Sequence, residues 1–251
     1  MYLPTQAFED SKEGEAVLPE GFVEDERGIH IPEDSRVSID GDIVIPKGKS
    51  FYIHKGVTLI MSPESSIQVN GNLYILGTKA KKVSFLAKDD RSWGGIYAGS
   101  NSLKYIRVVL RNVEFDNFGN WPKTRIGQMY LNGGLTFYHA KIDIEGLSIT
   151  NAKGEDALNC ISSVAYIKEA EITGSYSDGI DFDFTDAYIE NFKGVGNGGD
   201  ALDLSYSLVK CTNCWFEDNN DKGISVGEMS NAIVSQSVTV SYTHLTLPTK
   251  A

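Results

Sequence analysis

The chain has 251 residues, of which 41% are hydrophobic, 10% aromatic and 23% charged, an ordinary globular composition that excludes a disordered or collagen-like chain. No run approaches the roughly 18 apolar residues of a membrane helix, and the opening MYLPTQAFEDSKEGE lacks the basic-then-apolar pattern of an export signal. The net charge of −11 belongs to the second half: residues 1–138 carry 17 acids and 16 bases, whereas 139–238 carry 17 acids and 6 lysines. That distribution argues against a nucleic-acid surface, which needs basic stripes, and leaves cations and neutral or cation-bridged ligands as partners, beside the plain reading of a solvated acidic surface.

Residues 1–30, rich in Glu and poor in pattern, read as an N-terminal arm or linker. From there to Phe115 the chain alternates short apolar strands with Gly, Asn and Ser turns: DGDIVIPKGKSFYIHKGVTLIM, SSIQVNGNLYILGTKAKKVSFLA, WGGIYAGS and LKYIRVVLRNVEF. Trp93 in the third of these reads as a packed corner residue. The segment DNFGNWPKTRIGQMYLNGG, 116–134, breaks this rhythm and reads as an inserted loop. Its Trp121 and Tyr130 offer flat surfaces for sugar rings and its Lys123 and Arg125 could meet carboxylates, or the aromatics simply pin the loop to the wall. His139 stands alone, and His30 and His54 form no constellation with it, so no His-based site is expected.

From residue 156 one phrase recurs every 22 residues: Asp156-Ala-Leu-Asn-Cys, Asp178-Gly-Ile-Asp-Phe, Asp200-Ala-Leu-Asp-Leu and Lys222-Gly-Ile-Ser-Val. A second apolar beat aligns Ile167, Ile189 and Cys211, then Ala170, Phe192 and Cys214, with Ile144 and Leu147 one coil earlier. A repeat this short, without helical pattern, means a solenoid whose coils bury their apolar faces only by stacking. The expected fold is all-β, a right-handed parallel β-helix of roughly nine coils spanning 31–238. The three cysteines, Cys160, Cys211 and Cys214, are an odd number that supports neither a disulfide framework nor a zinc ribbon, and Cys211 and Cys214 fall on core columns. The last residues, 239–251, contain VSYTHLTLPT, which resembles a translated sequencing adapter. The native frame is accordingly expected to end near Val238, with further coils or domains beyond it, an open C-terminal edge, and Met1 as a residue that need not be the natural start.

Strand alternation sets the chemistry that faces solvent. With Ile180, Phe182 and Phe184 inward, Asp181 and Asp183 point out; with Leu202 and Leu204 inward, Asp203 and Ser205 point out. The outward columns are then Asn159, Asp181, Asp203, Ser225 and Ile161, Asp183, Ser205, Gly227. Stacked carboxylates repel, and a shared proton, a divalent cation or water and salt must relieve them. Calcium, which takes six to eight oxygens, is the metal that Asp181, Asp183 and Asp203 would suit. No cofactor is required otherwise. A second acidic row, Glu155–Asp156, Asp178, Asp200 and Asp221, falls at turns, where Asp also serves to bond its own backbone.

GNLYILGT, KVSFLA and WGGI together resemble the entry coils of bacterial right-handed β-helix proteins of the pectin lyase-like superfamily, over residues 35–238. The resemblance implies an exported or cell-surface protein associated with polysaccharide or surface glycan, and it specifies the fold more than the function. SDGIDFD, GGDALDLS and DKGISVGE are further similar to the catalytic coils of polygalacturonases. That likeness implies Asp178 and Asp200, with Asp181 and Asp203, as acid and base on uronate-containing glycans. Gly199 stands where that pattern has its other acid and Lys222 where it has a histidine, which puts catalysis in doubt. A lyase or epimerase would need a base beside the uronate, and Lys222 is the nearest one, making it a candidate substrate contact with Trp121, Arg125 and Tyr130. The leading expectation is a carbohydrate-associated or structural module with an acidic face; the polysaccharide-active enzyme is the alternative.

Overall fold

The computed structural model describes residues 18–63, 65–99, 102–120, 125–126, 129–130 and 133–240. These residues form a parallel β-solenoid of about nine turns without a helix. One wall is a sheet of eight short strands, among them Gly133–Tyr138, Asp156–Ile161, Asp178–Asp183, Leu202–Ser205 and Ile224–Val226. The other walls come from long bent strands such as Ala140–Thr150, Val164–Thr173 and Asp186–Val195, which pair in parallel with one another. The registers set Leu158, Ile180, Leu202 and Ile224 in one column, and Ile144, Ile167, Ile189 and Cys211 in another, the columns the repeat specifies.

Corners close each coil. Phe184, Asn191 and Gly196 have φ of 50°, 58° and 63°, and one coil earlier Ser162, Glu169 and Gly174 have 50°, 52° and 66°. Such left-handed residues turn the chain sharply between strands, and Asn and Gly adopt the conformation at least cost. Just past the first corner, inward hydroxyls of successive coils accept backbone donors: Ser163 N bonds Thr185 Oγ1 at 3.1 Å, Thr185 N bonds Ser207 Oγ at 3.0 Å, and Ser207 N bonds Ser230 Oγ at 3.0 Å. A buried ladder of Ser175, Asn197 and Asn219 does the same at the third corner. These ladders satisfy amides that the turns would otherwise bury unpaired.

The apolar interior runs without a break along the coils, each fully buried Phe, Leu or Ile contributing about 1.5–3 kcal/mol. Trp93 is wholly buried at a corner, with ring centroids 5.9 Å from Phe85 and 5.5 Å from Phe118, as its sequence context predicts.

Three expectations are corrected. Phe184 does not point inward: the alternation that buries Ile180 and Phe182 ends with the strand at Asp183, and the left-handed turn at residue 184 throws the ring out, 60% exposed. Cys211 and Cys214 do occupy core columns, but they are joined as a disulfide. The turn at Asn213 sets positions 211 and 214 inward on adjacent walls, where Ile189 and Phe192 pack one coil earlier. Residues Gly28–Ile31, at the border of the expected N-terminal arm, are a strand of the solenoid wall, paired with Ser50–His54 on one side and, antiparallel, with Val23–Asp25 on the other.

Ile106 pairs with Ala140, 34 positions on, whereas Val164 pairs with Asp186, 22 positions on, so the inserted segment adds 34 − 22 = 12 residues to its coil. Within it, Arg125–Ile126 and Met129–Tyr130 pair antiparallel.

Candidate functional site

The eight-stranded wall carries the predicted acids in the predicted order. Asn159, Asp181, Asp203 and Ser225 are register partners across four coils, as are Ile161, Asp183 and Ser205 across three. Neighbouring strands lie about 4.8 Å apart, so Asp181 and Asp203 sit one above the other. Asn159 is buried, and its Nδ2 donates to Asp181 Oδ2 at 2.8 Å and to Asp183 Oδ2 at 3.3 Å. One amide thereby ties two carboxyl groups together.

Burial, followed by the charges of Asp183, Asp203 and Asp178, pushes the Asp181 carboxyl up to about 8, so it keeps its proton near neutral pH. Asp203 Oδ1 accepts the Leu204 amide at 2.9 Å. Asp156 opens the strand before Asp181 and is register partner to Asp178. It is 3% exposed, and no described residue hydrogen-bonds or ion-pairs with its carboxyl. Burial first, then the charge of Asp181, raises it well above the carboxylate range.

Asp178 and Asp200 have a different occupation. Asp178 Oδ1 accepts the Asp200 amide at 2.6 Å, and Asp200 Oδ1 accepts the Lys222 amide at 2.7 Å, so each carboxyl fastens the turn of the following coil. Burial raises both, Asp200 to about 6, where Lys222 partly offsets the burial. Gly199 is explained by this ladder, since a Cβ there would overlap Asp178 Oδ1 and the acid of the polygalacturonase pattern has no room. Lys222 Nζ lies 3.6 Å from Asp200 Oδ1 and is paired with Asp221, its charge spent at the turn.

At the C-terminal end of the same strands, Phe184 and Tyr206 stack in adjacent coils with ring centroids 4.8 Å apart and planes 9° apart. Both are surface residues, 60% and 47% exposed, and the same corner one coil earlier holds only Ser162. This aromatic border was hidden from sequence reasoning by the assignment of Phe184 to the core; the signal that could have found it is the unbroken alternation ending at Asp183.

Of the other predicted contacts, Trp121 lies outside the described residues, and Arg125 is backbone partner to Tyr130 in the inserted hairpin. The insertion is rooted beside the acidic row: Gly119 packs against Gly154 and Gly134, next to where Asp156 begins its strand. Among the described residues no three His, Cys, Asp or Glu side chains converge closely enough to hold a metal ion. At the far end of the solenoid, His30 Nε2 lies 2.9 Å from Asp25 Oδ1 and His30 Nδ1 lies 3.2 Å from His54 Nε2, a contact made by stacking coils that residue spacing did not reveal. No helix among the described residues is long and apolar enough to cross a membrane.

No protein-family model matches the chain, and no curated protein matches it. Among solved structures, the crystal structure of a double mutant of a periplasmic alginate epimerase aligns with 90% of this chain and 78% of that one, at 8% sequence identity and a TM-score of 0.24.

Proposed function

We propose that the wall formed by Asp156–Ile161, Asp178–Asp183 and Leu202–Ser205 is a glycan-binding face of an exported or surface protein. The observation that carries this reading is the pairing of half-buried carboxyl groups with an exposed aromatic border, Phe184 and Tyr206, at the corners that follow the same strands. Carboxyl oxygens accept hydrogen bonds from sugar hydroxyls, and aromatic faces receive the apolar face of a pyranose. The disulfide Cys211–Cys214 supports an oxidising compartment. In this reading a proton on Asp181 relieves the stacked carboxyls, and calcium is the alternative occupant to be tested beside it.

A panel of insoluble polysaccharides tests the reading. The chain is expected to be retained by at least one of them, with retention lost in Phe184→Ala/Tyr206→Ala although the variant still folds and melts only a few degrees below wild type. Retention by none, or retention indifferent to the ring variants, contradicts it. Calcium is expected to leave the melting temperature unchanged; a rise seen in wild type and absent in Asp181→Asn/Asp203→Asn would assign the face to the metal.

One observation favours a second reading, glycoside hydrolysis. The proton held by Asp181 suits a general acid, and Asp203, its register partner one coil away at about 4.8 Å, has the close spacing of a nucleophile rather than of a base that activates water. New reducing ends from a glycan retained in the panel, absent with Asp181→Asn, would establish it.

A further inference from the structure

The wall that follows the corner at Ser162, Phe184 and Tyr206 is built from the first halves of Ala140–Thr150, Val164–Thr173 and Asp186–Val195, then from Leu208–Thr212 and Asn231–Ser235. Alternation turns Ala165, Ala187 and Val209 into the core and leaves the residues on either side of them facing out. Val164, Tyr166, Leu208 and Ile233 stand there between 42% and 64% exposed. They form one patch: Tyr166 is register partner to Tyr188, Tyr188 to Lys210 and Lys210 to Ile233, while Val164 and Leu208 flank Asp186 in the neighbouring column. The rings of Tyr166 and Tyr188 are stacked 5.3 Å apart with planes 2° apart, so their arrangement is fixed before anything meets them.

Two opposite charges lie inside this patch. Asp186 is register partner to Leu208 and Tyr188 to Lys210, so Asp186 and Lys210 occupy opposite corners of a four-residue cell whose other corners are Tyr188 and Leu208. Among the described residues neither Asp186 nor Lys210 makes an ion pair; Lys210 Nζ lies 5.5 Å from the centroid of the Tyr188 ring. Earlier on the same wall the outward charges are satisfied within the chain, as in the pair of Arg111 with Asp143.

We infer that this wall is a dimer face that takes a second copy of the chain. A two-fold axis in the plane of the contact, running close to the diagonal from Tyr188 to Leu208, exchanges the positions of Asp186 and Lys210. It sets Asp186 against the partner subunit's Lys210 and Lys210 against the partner subunit's Asp186, with the apolar side chains burying one another around them. Charges of both signs at exchangeable positions match a copy of the same face, whereas a lipid surface or a partner of one charge would leave Asp186 or Lys210 opposed. Five strands about 4.8 Å apart, each with about five residues at 3.3 Å, give a plane of roughly 24 by 16 Å. Side chains standing off that plane bring the surface buried by the pair to about 1,000 Å², near the lower limit of a specific interface, so the dimer is a weak one. The acidic wall lies across the corner, and the inference does not depend on what that wall binds.

Sedimentation velocity of the full chain, from about 1 to about 200 µM at roughly physiological salt, tests the inference. The wild type is expected to pass from monomer to dimer within this range, with a Kd on the order of 10 µM. Leu208→Lys, a change at an exposed position, should weaken the dimer about tenfold or more. Asp186→Lys and Lys210→Asp should each weaken it about tenfold by setting like charges against each other, and the double reversal Asp186→Lys/Lys210→Asp should restore it. Melting temperatures confirm that each variant folds. A chain that stays monomeric throughout overturns the inference. Association that Leu208→Lys leaves intact overturns it as well, by placing the contact on another surface. Single reversals without effect, or a double reversal no tighter than the single ones, overturn the two-fold pairing of Asp186 with Lys210. None of these variants lies on the acidic wall, so the polysaccharide panel decides the glycan reading independently.

Discussion

Toward the N-terminus, Asp40 reaches Lys88 at 2.8 Å and Glu114 reaches Lys82 at 3.2 Å, each pair joining different coils of the same solenoid. Toward the C-terminus, Asp181 reaches Asn159 and stands in register with Asp203, with carboxyl groups rather than cations as its charged neighbours. The interior columns are alike in the two regions, Leu59 and Phe85 in one, Ile180 and Leu202 in the other, all fully buried. One architecture thus holds two surfaces that handle charge oppositely. Stacking coils does not force carboxylates into register, because Glu145 has Arg111 as its register partner on one side and Lys168 on the other. The acidic wall is therefore a departure from how this fold otherwise finishes its surface, and it falls where exposed aromatic rings border it.

The contrast between a frame and a face can be broken by substitution, and the largest effect is expected within three residues of chain. Phe182→Ala empties a core position and should cost about 3–5 kcal/mol in urea unfolding. Phe184→Ala, on the exposed corner, should cost about 0.5–1.5 kcal/mol, the worth of an aromatic pair, while abolishing glycan retention. Comparable losses at both positions would return Phe184 to the core.

The pH dependence of stability sharpens the comparison next. Asp181 binds its proton more tightly when folded, about 8 against an ordinary 3.8, and Asp200 shifts the same way to about 6. A raised carboxyl contributes stability that is complete below the unfolded value and is lost as pH climbs through the folded one. The melting temperature should therefore fall as pH rises from about 4 to 8, and Asp181→Asn should flatten that fall. A wild-type melting temperature that rises over the same range contradicts the burial and repulsion assigned to the face.

Neutralising one carboxylate in each region should have opposite signs. Asp143 is ion-paired with Arg111 at 2.5 Å, and Asp143→Asn should destabilise by about 0.2–1 kcal/mol, less in high salt. Asp181→Asn at pH 9 should stabilise, because it removes a repelled charge. Urea midpoints for both variants, measured in low and high salt, decide this. The smallest change is a count: alkylation of the unfolded, unreduced chain should label Cys160 alone, and only after reduction Cys211 and Cys214 as well. Three labelled thiols before reduction would remove the support for an oxidising compartment.

Much of the fold was legible because a period of 22 residues and strict alternation determine which side chains can pack, and columns such as Ile167, Ile189 and Cys211 follow from those two rules. The rules fail at corners. A left-handed residue at 184 or 213 changes which way its neighbours point, which is why Phe184 was assigned inward and why the odd cysteine count concealed the pair across Asn213. The acidic columns were legible as positions but not as chemistry. Asp178 and Asp181 are the same letter three residues apart, and only the backbone amide bonded to Asp178 separates a turn fastener from a carboxyl facing its own kind. The link of Asp25, His30 and His54 depends on an antiparallel strand at the first coil, which no repeat in the sequence announces.

The central claim is that Asp181 faces carboxyl groups, with no cation paired to it among the described residues. The direct measurement is an NMR titration of the aspartate side-chain carboxyl carbons between pH 3 and 10, in wild type and Asp181→Asn. The account predicts one carboxyl titrating near 8 in wild type and missing from the variant. A wild-type protein in which every aspartate on the wall has ionised by pH 5 would contradict it.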